Sequence, residues 1–387
     1  MISEDEWPLV LSLLPVDLEK TAKETGALER RRVVKTAPDL LRLVMAYSLR
    51  GLSLRRVSAW SESADVVSLS DVAVLKRLKK CGDWLNLLLS ETLKHRVTVP
   101  KLGFDRLHLR LVDATCVSRP GSRGTDFRVH LGFDLQRMCI DEVQLTGPEG
   151  GETLSRFSVR YGDVMMGDRA YGERKAIAGV VEAGGDVLVR ISWQNMPLES
   201  DDGSAFDILA HARTVKGAMP GDWPVKITAT TKEGPVTVSG RLVVLRKSPQ
   251  ACERERRKVR KRYSKKGRTP DERTVEACDY ILLFTTLSAE KLTAADVLAL
   301  YRFRWQIELA FKRLKGILKL DEMRACNDEL CRTFILGKML AALLAEELIN
   351  GEGDAFSPWG YGPPSPVAHQ SIPGRGGYAD AGSMCCM

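Results

Sequence analysis

One amphipathic segment near the C-terminus constrains the fold and the chemistry of this chain more than any other feature. Residues 293–315 read T-A-A-D-V-L-A-L-Y-R-F-R-W-Q-I-E-L-A-F-K-R-L-K, and the polar members are Tyr301, Arg304, Glu308 and Lys315. On one continuous α-helix, with about 100° per residue, these four side chains lie within about 60° of azimuth. An apolar stripe beside them can dock on a core: Leu300, Ile307, Phe311, Leu314 and Leu318. A carboxylate between an aromatic hydroxyl and two cations suits a metal ion held next to a phosphodiester.

Composition restricts the class of protein. The chain has 387 residues, of which 44% are hydrophobic and 28% charged, so it can bury a large core in two or three domains. A net charge of +8 favours a polyanionic partner. The nine cysteines show no zinc-type spacing, and no apolar run reaches the roughly 18 residues of a membrane span. The N-terminal M-I-S-E-D-E-W-P is unlike a signal peptide, so we expect a cytoplasmic protein with no membrane partner.

Residues 1–100 predict an all-α N-terminal domain. A helical pattern around Leu40 ends at Gly51, a second short helix starts at Ser53, and Ser70 can cap a third. The third helix carries a basic cluster, Lys76, Arg77, Lys79 and Lys80. Two interpretations stay open: a helix-turn-helix domain that binds DNA ends, or a helical bundle with solvated charges.

The remainder alternates strands and helices and predicts an α/β fold. Residues 101–185 contain L-H-L-R-L-V-D-A-T, R-V-H-L-G-F-D-L, C-I-D-E-V-Q-L-T and D-V-M-M-G as strands. Residues 186–278 predict a β-rich insertion that contains an antiparallel hairpin and a basic loop. Residues 279–350 add the strand Y-I-L-L-F-T-T-L, the amphipathic helix and a second apolar helix from about Leu330 to Leu348.

Three acids occupy positions that suit a metal-dependent nuclease core. Asp113 ends the first strand, Asp168 ends a later buried strand, and Glu308 lies on the helix after the last strand. Taken singly, each acid is more typical of a cap, a turn or a solvated surface. Together they can hold two divalent ions that activate water or a 3′-hydroxyl and stabilise the leaving oxygen. Hard oxygen ligands predict two Mg²⁺ ions, for which Mn²⁺ can substitute.

The spacing Y-(2)-R-(3)-E-(6)-K matches a family signature at every interval. The blocks L-V-D-A-T, G-D-R-A-Y-G and V-L-V-R-I-S-W-Q-N occur in the matching order. Over residues 105–345 the chain resembles the DDE transposases of bacterial insertion sequences, in the insertion-sequence-four family. The resemblance implies a ribonuclease-H-like catalytic core interrupted by a β-rich insertion. It also implies cut-and-paste DNA transposition: metal-dependent cleavage at the element's ends and strand transfer into target DNA.

The resemblance also implies roles for individual residues. Asp113, Asp168 and Glu308 would be the catalytic, metal-binding triad. Three side chains of the signature would contact DNA phosphates: Tyr301, Arg304 and Lys315. The implied partners are double-stranded DNA, as terminal inverted repeats and as target, and a second copy of the chain in a DNA-bound homodimer.

Further DNA contacts are weighed against structural alternatives. Trp193 can stack on a flipped base, as an aromatic residue does in such enzymes, or lie in the core. Arg169 can contact a phosphate or be an ordinary surface arginine. The basic run 254–268 is interpreted as a loop that contacts DNA when the complex assembles, rather than as a solvated insertion. His130 is expected to be a strand residue near the site, because hard-metal sites do not require imidazole.

Residues 351–387 differ from the rest of the sequence. They are rich in Gly and Pro and nearly free of charge, which predicts a disordered tail. A frameshift in a decaying mobile element leaves such a switch. Two alternatives therefore accompany the transposase: a truncated or impaired remnant that only binds DNA, and a stand-alone metal-dependent nuclease.

Overall fold

The computed structural model describes residues 7–94 and 107–351, with side chains described up to residue 348. The predicted tail lies outside the described residues, except for residue 351. The N-terminal part of the described chain is helical, as the sequence predicts. Its helices are α1 (Trp7–Ser12), α2 (Leu18–Glu24), α3 (Ala37–Arg50), α4 (Leu54–Ser63), α5 (Asp71–Leu78) and α6 (Gly82–Lys94).

Hydroxyl caps and one glycine set the ends of these helices. The side chains of Thr36, Ser53 and Ser70 accept hydrogen bonds from first-turn N–H groups of α3, α4 and α5. Ser and Thr are favoured at this position because their oxygen satisfies an otherwise unpaired donor. Gly51 ends α3 with a φ of 58°, a left-handed conformation in which glycine avoids a side-chain clash. The helices predicted around Leu40 and after Ser53 and Ser70 are confirmed.

The basic cluster around α5 is largely engaged within the protein. Lys79 Nζ lies 2.7 Å from a Glu329 carboxylate oxygen, and Lys80 Nζ lies 3.0 Å from Glu29. Arg77 donates a hydrogen bond of 2.7 Å to a backbone carbonyl. These cations therefore stabilise the helical region, and a DNA-binding role for α4 and α5 stays a prediction.

A ten-stranded sheet forms the centre of the part of the chain that the structure describes. Its strands are β1 (His108–Val117), β2 (Phe127–Asp134), β3 (Cys139–Thr146), β4 (Asp163–Gly167), β5 (Asp186–Arg190), β6 (Leu198–Glu199), β7 (Ala205–Phe206), β8 (Gly221–Thr231), β9 (Gly234–Arg246) and β10 (Tyr280–Thr285). Their order is β3-β2-β1-β4-β5-β10-β9-β8-β6-β7. β1 to β3 are antiparallel, and β4 and β5 run parallel to β1. The α/β class is confirmed, as is the antiparallel hairpin, which is β8–β9.

Helices cover both faces of the sheet. They are α7 (Arg174–Glu182), α8 (Ile208–Thr214), α9 (Pro249–Ser264), α10 (Glu272–Ala277), α11 (Ala294–Arg302), α12 (Trp305–Gly316) and α13 (Asp328–Gly351). Alternate residues of β1 enter different cores: Leu111 joins the α12–α13 side, and Val112 joins the α7 side. This alternation follows from the two-residue period of a strand. Within the described residues, no helix is long and apolar enough to cross a membrane.

Helix α13 joins the N-terminal helices to the sheet. It packs against α3, α6 and β3, so the N-terminal helices and the sheet share one hydrophobic core. Gly337 allows the close approach to α3, because a Cβ at that position would overlap the side chain of Ser48. On the sheet side, the buried Glu346 carboxylate accepts a hydrogen bond of 3.3 Å from the Ile140 amide.

The prediction of one continuous helix over residues 293–315 is wrong. The segment forms two helices, α11 and α12, which are separated at Phe303 and Arg304. The amides of Phe303, Arg304 and Gln306 bond to carbonyls three residues back instead of four. Such i→i−3 bonds wind the chain more tightly, with about three residues per turn instead of about 3.6. The azimuths calculated for one straight helix therefore do not hold across the break.

The prediction of a loop over the basic run 254–268 is also wrong. Most of the run belongs to α9, whose N-cap Ser248 accepts from the Ala251 amide and whose first position is Pro249. Both residues are typical helix-start signals. Arg, Lys and Glu are good helix formers, so high charge density did not require a loop here.

Candidate active site

Asp113 and Asp168 lie at the same level of two neighbouring parallel strands, Asp113 within β1 and Asp168 directly after the last residue of β4. The β1–β4 ladder pairs residues in register up to Leu111 with Met166. Asp113 and Asp168 each follow two residues later, and the Asp168 charge acts on the Asp113 carboxyl group, so the two side chains lie close together. The expectation that Asp113 ends its strand is wrong, since β1 continues to Val117 by pairing with β2. The partner strand β4 is the one that stops, and this opens the site.

The Asp113 carboxyl group lies in a desolvated environment. Its pKa is raised to about 7, mainly by burial, with smaller contributions from the nearby charges of Asp168 and Glu152. The Ala114 amide, which donates to Asp113 Oδ1 at 2.8 Å, and the Arg304 cation act in the opposite direction. A buried carboxylate near other acids is a site at which a cation would bind favourably.

Asp168 is held at the end of β4 by its own backbone. Its Oδ1 accepts a hydrogen bond of 2.8 Å from the Ala170 amide and caps a short 3₁₀ turn. Gly167 comes just before it, and a Cβ there would lie 2.7 Å from the Tyr171 Cβ. The absence of a side chain at position 167 therefore lets the turn fold back onto the strand, which orients Asp168.

Glu308 lies on α12, and its carboxylate is bound to a cation of the chain. Arg304 forms an ion pair with Glu308 one helical turn away. The Arg304 guanidinium also interacts with Asp113. Among the described residues, no group of three acidic, His or Cys side chains is arranged to hold a metal ion. The structure thus brings Asp113 and Asp168 together, with Arg304 between them and Glu308.

Tyr301 contributes an unpaired hydroxyl to this site. Its oxygen is buried and has no hydrogen-bond partner in the described part of the chain. Burial raises the tyrosine pKa to about 12, so the hydroxyl remains a proton donor at neutral pH. The Arg304 guanidinium carbon lies 5.9 Å from the centre of the Tyr301 ring. A buried donor without a partner is costly unless a ligand accepts its hydrogen bond.

A cavity of about 400 Å³ opens beside Asp168. Its lining is mostly charged and consists of Asp168, Arg169, Arg190, Glu255, Lys258, Val259, Arg262, Tyr301 and Arg304. The exposed Arg169 and the half-buried Tyr301 therefore line the same cavity, and their contacts with DNA stay a prediction.

Two predicted DNA contacts lie outside this lining. Lys315 is half-buried on α12, seven residues beyond Glu308, a rise of about 10 Å along the helix. Trp193 is half-buried against the α7-side core, and the Arg273 guanidinium stacks over its ring at 4.6 Å. A base-stacking role for Trp193 would require Arg273 to move.

His130 belongs to strand β2, as expected from the sequence. It is fully buried, and its Nε2 lies 3.0 Å from the Thr146 hydroxyl. Burial lowers its pKa to about 4, with a smaller contribution from Arg156 and Arg128. A neutral, hydrogen-bonded imidazole in the sheet has a structural role.

Comparison with known proteins identifies the family. A family model described as "Transposase DDE domain" matches residues 107–344, more than half of the chain. The chain belongs to the DDE transposase family.

Full-length relatives agree with this family. The transposase is 35% identical over 353 residues to the transposase for insertion sequence element IS421 of Escherichia coli, covering 90% of this chain and 95% of the relative. The InsL protein of insertion sequence element IS186A in E. coli K12 is also 35% identical, over 352 residues, with the same coverage. The transposase for IS1151 of Clostridium perfringens is 31% identical over 85 residues, 22% of this chain and 18% of that protein.

The residues at the site fit the divalent metal on which the DDE family depends. Asp113 in β1 and Asp168 directly after β4 offer oxygen ligands, and the burial that raises the pKa of Asp113 makes its ionised form one that a bound cation would stabilise. Hard oxygen donors are the ligands that Mg²⁺ and Mn²⁺ prefer. Glu308 can join them only after its carboxylate leaves Arg304.

Sequence reasoning missed several residues of this site. Arg190 lies within the V-L-V-R-I-S-W block and lines the cavity, but its spacing alone did not distinguish it from other strand-end arginines. The position of Lys258 and Arg262 in the cavity wall was not predicted, because their segment was expected to be a loop and not a helix. Glu152 matches no element of the signature, although its charge affects Asp113.

Proposed function

We propose that Asp113, Asp168 and Glu308 are the catalytic residues with which this DDE transposase cleaves DNA at the ends of its insertion sequence and joins them to target DNA. The observation that carries the assignment is the close approach of Asp113, in β1, and Asp168, directly after β4, with Arg304, at the N-terminus of α12, interacting with both Asp113 and Glu308. Mg²⁺ is the proposed metal, with two ions bound and Mn²⁺ as a substitute.

Each side chain has a defined task in this proposal. Asp113 and Asp168 bind the metal from the sheet, and Glu308 completes the ligand set when Arg304 turns to a DNA phosphate. When bound, the divalent ions supply activation of water or a 3′-hydroxyl and stabilisation of the leaving oxygen. Tyr301 donates its buried hydroxyl to a phosphate oxygen, and Arg169 and Arg304 supply charge to the DNA backbone. Lys315 contacts a more distant phosphate.

The proposed fold of the catalytic part is a ribonuclease-H-like core, formed by residues 101–185 and 279–350. The support is the strand order β3-β2-β1-β4-β5, with an antiparallel β1–β3 unit followed by two strands parallel to β1. The β-rich insertion, residues 186–278, would separate β5 from β10. Residues 1–100 are proposed as the helical domain that binds DNA ends.

Two copies of the transposase are proposed to act together, because joining two DNA ends to one target needs two catalytic sites in one complex. We expect a homodimer on DNA that carries the terminal inverted repeats. The seven cysteines in the described part of the chain are free thiols, which supports work in the reducing cytoplasm.

The decisive test compares Glu308→Gln with wild type on duplex DNA that carries the element's end. Loss of one charged metal ligand should reduce cleavage at least about a hundredfold, while DNA binding in Ca²⁺ stays within about a factor of three. Glu290→Gln, an exposed glutamate outside the site, is the matched control and should cleave normally. Cleavage by Glu308→Gln at the wild-type rate would contradict the assignment.

A further inference from the structure

Helix α9 forms one wall of the cavity beside Asp168. The face of α9 towards the cavity carries Glu255, Lys258, Val259 and Arg262. These positions are i, i+3, i+4 and i+7, which is the spacing of a single helical face. The basic helix therefore presents one selected set of side chains to the catalytic site.

This helix has a fixed orientation. Cys252 and Val259 are buried beneath it. Arg256 donates from Nε to a carboxylate oxygen of Asp279 at 2.8 Å, next to strand β10. These contacts anchor α9 on the protein while Lys258 and Arg262 line the cavity.

The cavity concentrates positive charge. Its lining has five cations against the carboxylates of Asp168 and Glu255: Arg169, Arg190, Lys258, Arg262 and Arg304. Lys258 and Arg304 have acidic partners, Glu255 and Glu308. Within the described side chains, no carboxylate forms an ion pair with the other three arginines. Convergence of unpaired cations is unfavourable unless an anion binds between them.

Arg190 is one of the cations affected by this repulsion. Its side chain is largely buried at the end of β5, and burial followed by the charge of Arg169 lowers its pKa. Lys247, on the same side of the sheet, has its pKa lowered to about 8 by burial, Arg190 and Arg169. An anion in the cavity would relieve this repulsion.

A phosphodiester is the anion that fits best. Arginine side chains bind phosphate oxygens through several N–H donors, and the unpaired Tyr301 hydroxyl supplies another donor in the same cavity. The Asp168 carboxylate in the wall places the bound group next to the catalytic centre.

We propose that α9 completes a binding site for the DNA phosphate that adjoins the scissile phosphodiester, with Lys258 and Arg262 as direct contacts. This role rests on the proposed function, because the cavity adjoins the scissile bond only if Asp168 is catalytic. When DNA binds, the Lys258 ammonium group leaves its ion pair with Glu255 and binds the phosphate. The two side chains are positioning residues: they hold the strand while Asp113, Asp168 and Glu308 act.

The test measures binding of duplex DNA carrying the element's end in Ca²⁺, with Lys258→Gln, Arg262→Gln and the control Arg260→Gln. The Arg260→Gln substitution removes the same charge from the opposite side of α9, and Arg260 lines no described cavity. Each cavity variant should bind about tenfold more weakly, and the slope of log K against log salt should fall by about one. All three residues are exposed, so unchanged thermal unfolding serves as the folding check.

A neutral methylphosphonate at the phosphate adjoining the scissile bond provides the second arm. It should weaken binding by wild type and by Arg260→Gln, and should weaken binding by Lys258→Gln and by Arg262→Gln less, because each of these two variants has already lost one contact to that phosphate. Equal losses in all four proteins, or cavity variants that match the control, would overturn the role of α9. If wild type then cleaves normally and Glu308→Gln does not cleave, the catalytic assignment remains intact. Cleavage that survives in Glu308→Gln would reject that assignment instead.

Discussion

Arg304 and Glu308 form an ion pair across one helical turn at the proposed catalytic site of the transposase. The Arg304 side chain is 21% exposed and that of Glu308 is 54% exposed. The carboxylate proposed as the third metal ligand is therefore bound to the cation proposed to contact DNA. An exchange of partners would couple the arrival of DNA to completion of the metal site.

Replacement of Arg304 separates these two roles. In Arg304→Gln, Glu308 loses its competing cation, and binding of Mn²⁺ without DNA should strengthen by up to about fivefold, the scale of a partly exposed ion pair. DNA binding should weaken because a phosphate contact is lost. Electron paramagnetic resonance of free Mn²⁺ measures the first effect. Unchanged or weaker Mn²⁺ binding would show that the ion pair does not compete with the metal.

Asp113→Asn should stabilise the protein while removing activity. The folded pKa of about 7 lies above the ordinary value of 3.8, so the ionised carboxylate destabilises the fold as pH rises through this interval. At pH 8 with a chelator, the amide should raise the free energy of unfolding by up to about 4 kcal/mol, since each pKa unit corresponds to about 1.4 kcal/mol. Urea denaturation measures this change. A less stable variant at pH 8 would contradict the burial of the charge.

Strand β1 carries a pH-sensitive contact at its other end. His108 lies 2.8 Å from Asp134 and 2.6 Å from Asp163, and these two carboxylates raise its pKa to about 9. The stabilisation is fully present below about pH 6.5 and should be lost as pH rises through about 9, up to about 3 kcal/mol in all. His108→Gln should flatten the stability profile between these values. An identical slope in both proteins would argue against a charged His108.

Arg110 is the central cation of a buried network. Its side chain is 1% exposed and lies 2.5 Å from Asp141, 3.0 Å from Glu142 and 3.2 Å from Asp163. Arg110→Met leaves these acids without their cation, and it should cost about 3–5 kcal/mol of stability.

The control for Arg110 is Arg55, whose ion pair with Asp71 is solvent-exposed. Arg55→Met should change stability by less than about 1 kcal/mol. Guanidinium denaturation of both variants gives the comparison. Similar losses for the two would mean that burial of the network does not determine its contribution.

Local signals predicted much of the fold. At Thr36, Ser53 and Ser70, each N-cap side chain accepts a hydrogen bond from an amide only three residues later. The starts of these helices are therefore encoded locally in the sequence. The break between α11 and α12 could not be predicted in this way. Its residues, Phe303 and Arg304, are not the helix breakers Pro or Gly, and the change in hydrogen bonding there has no local sequence signal.

The site was predictable in its chemistry but not in its geometry. Asp113 and Asp168 were identified as acids next to strands, yet their common level depends on the register between β1 and β4, which is a long-range property. The i, i+4 spacing of Arg304 and Glu308 is visible in the sequence. Whether that carboxylate binds the cation or a metal depends on the ligands present, which spacing does not encode.

The contact of α13 with α3 and α6 has a consequence for synthesis on the ribosome. Polypeptides emerge N-terminus first, but the first helices pack against a segment that is translated only after the whole catalytic sheet. Their apolar faces stay without this partner until residue 328 and its successors leave the exit tunnel. The N-terminal helices can complete their folding only after α13 has been synthesised. A nascent or prematurely terminated chain that lacks α13 therefore has an incompletely packed N-terminal region.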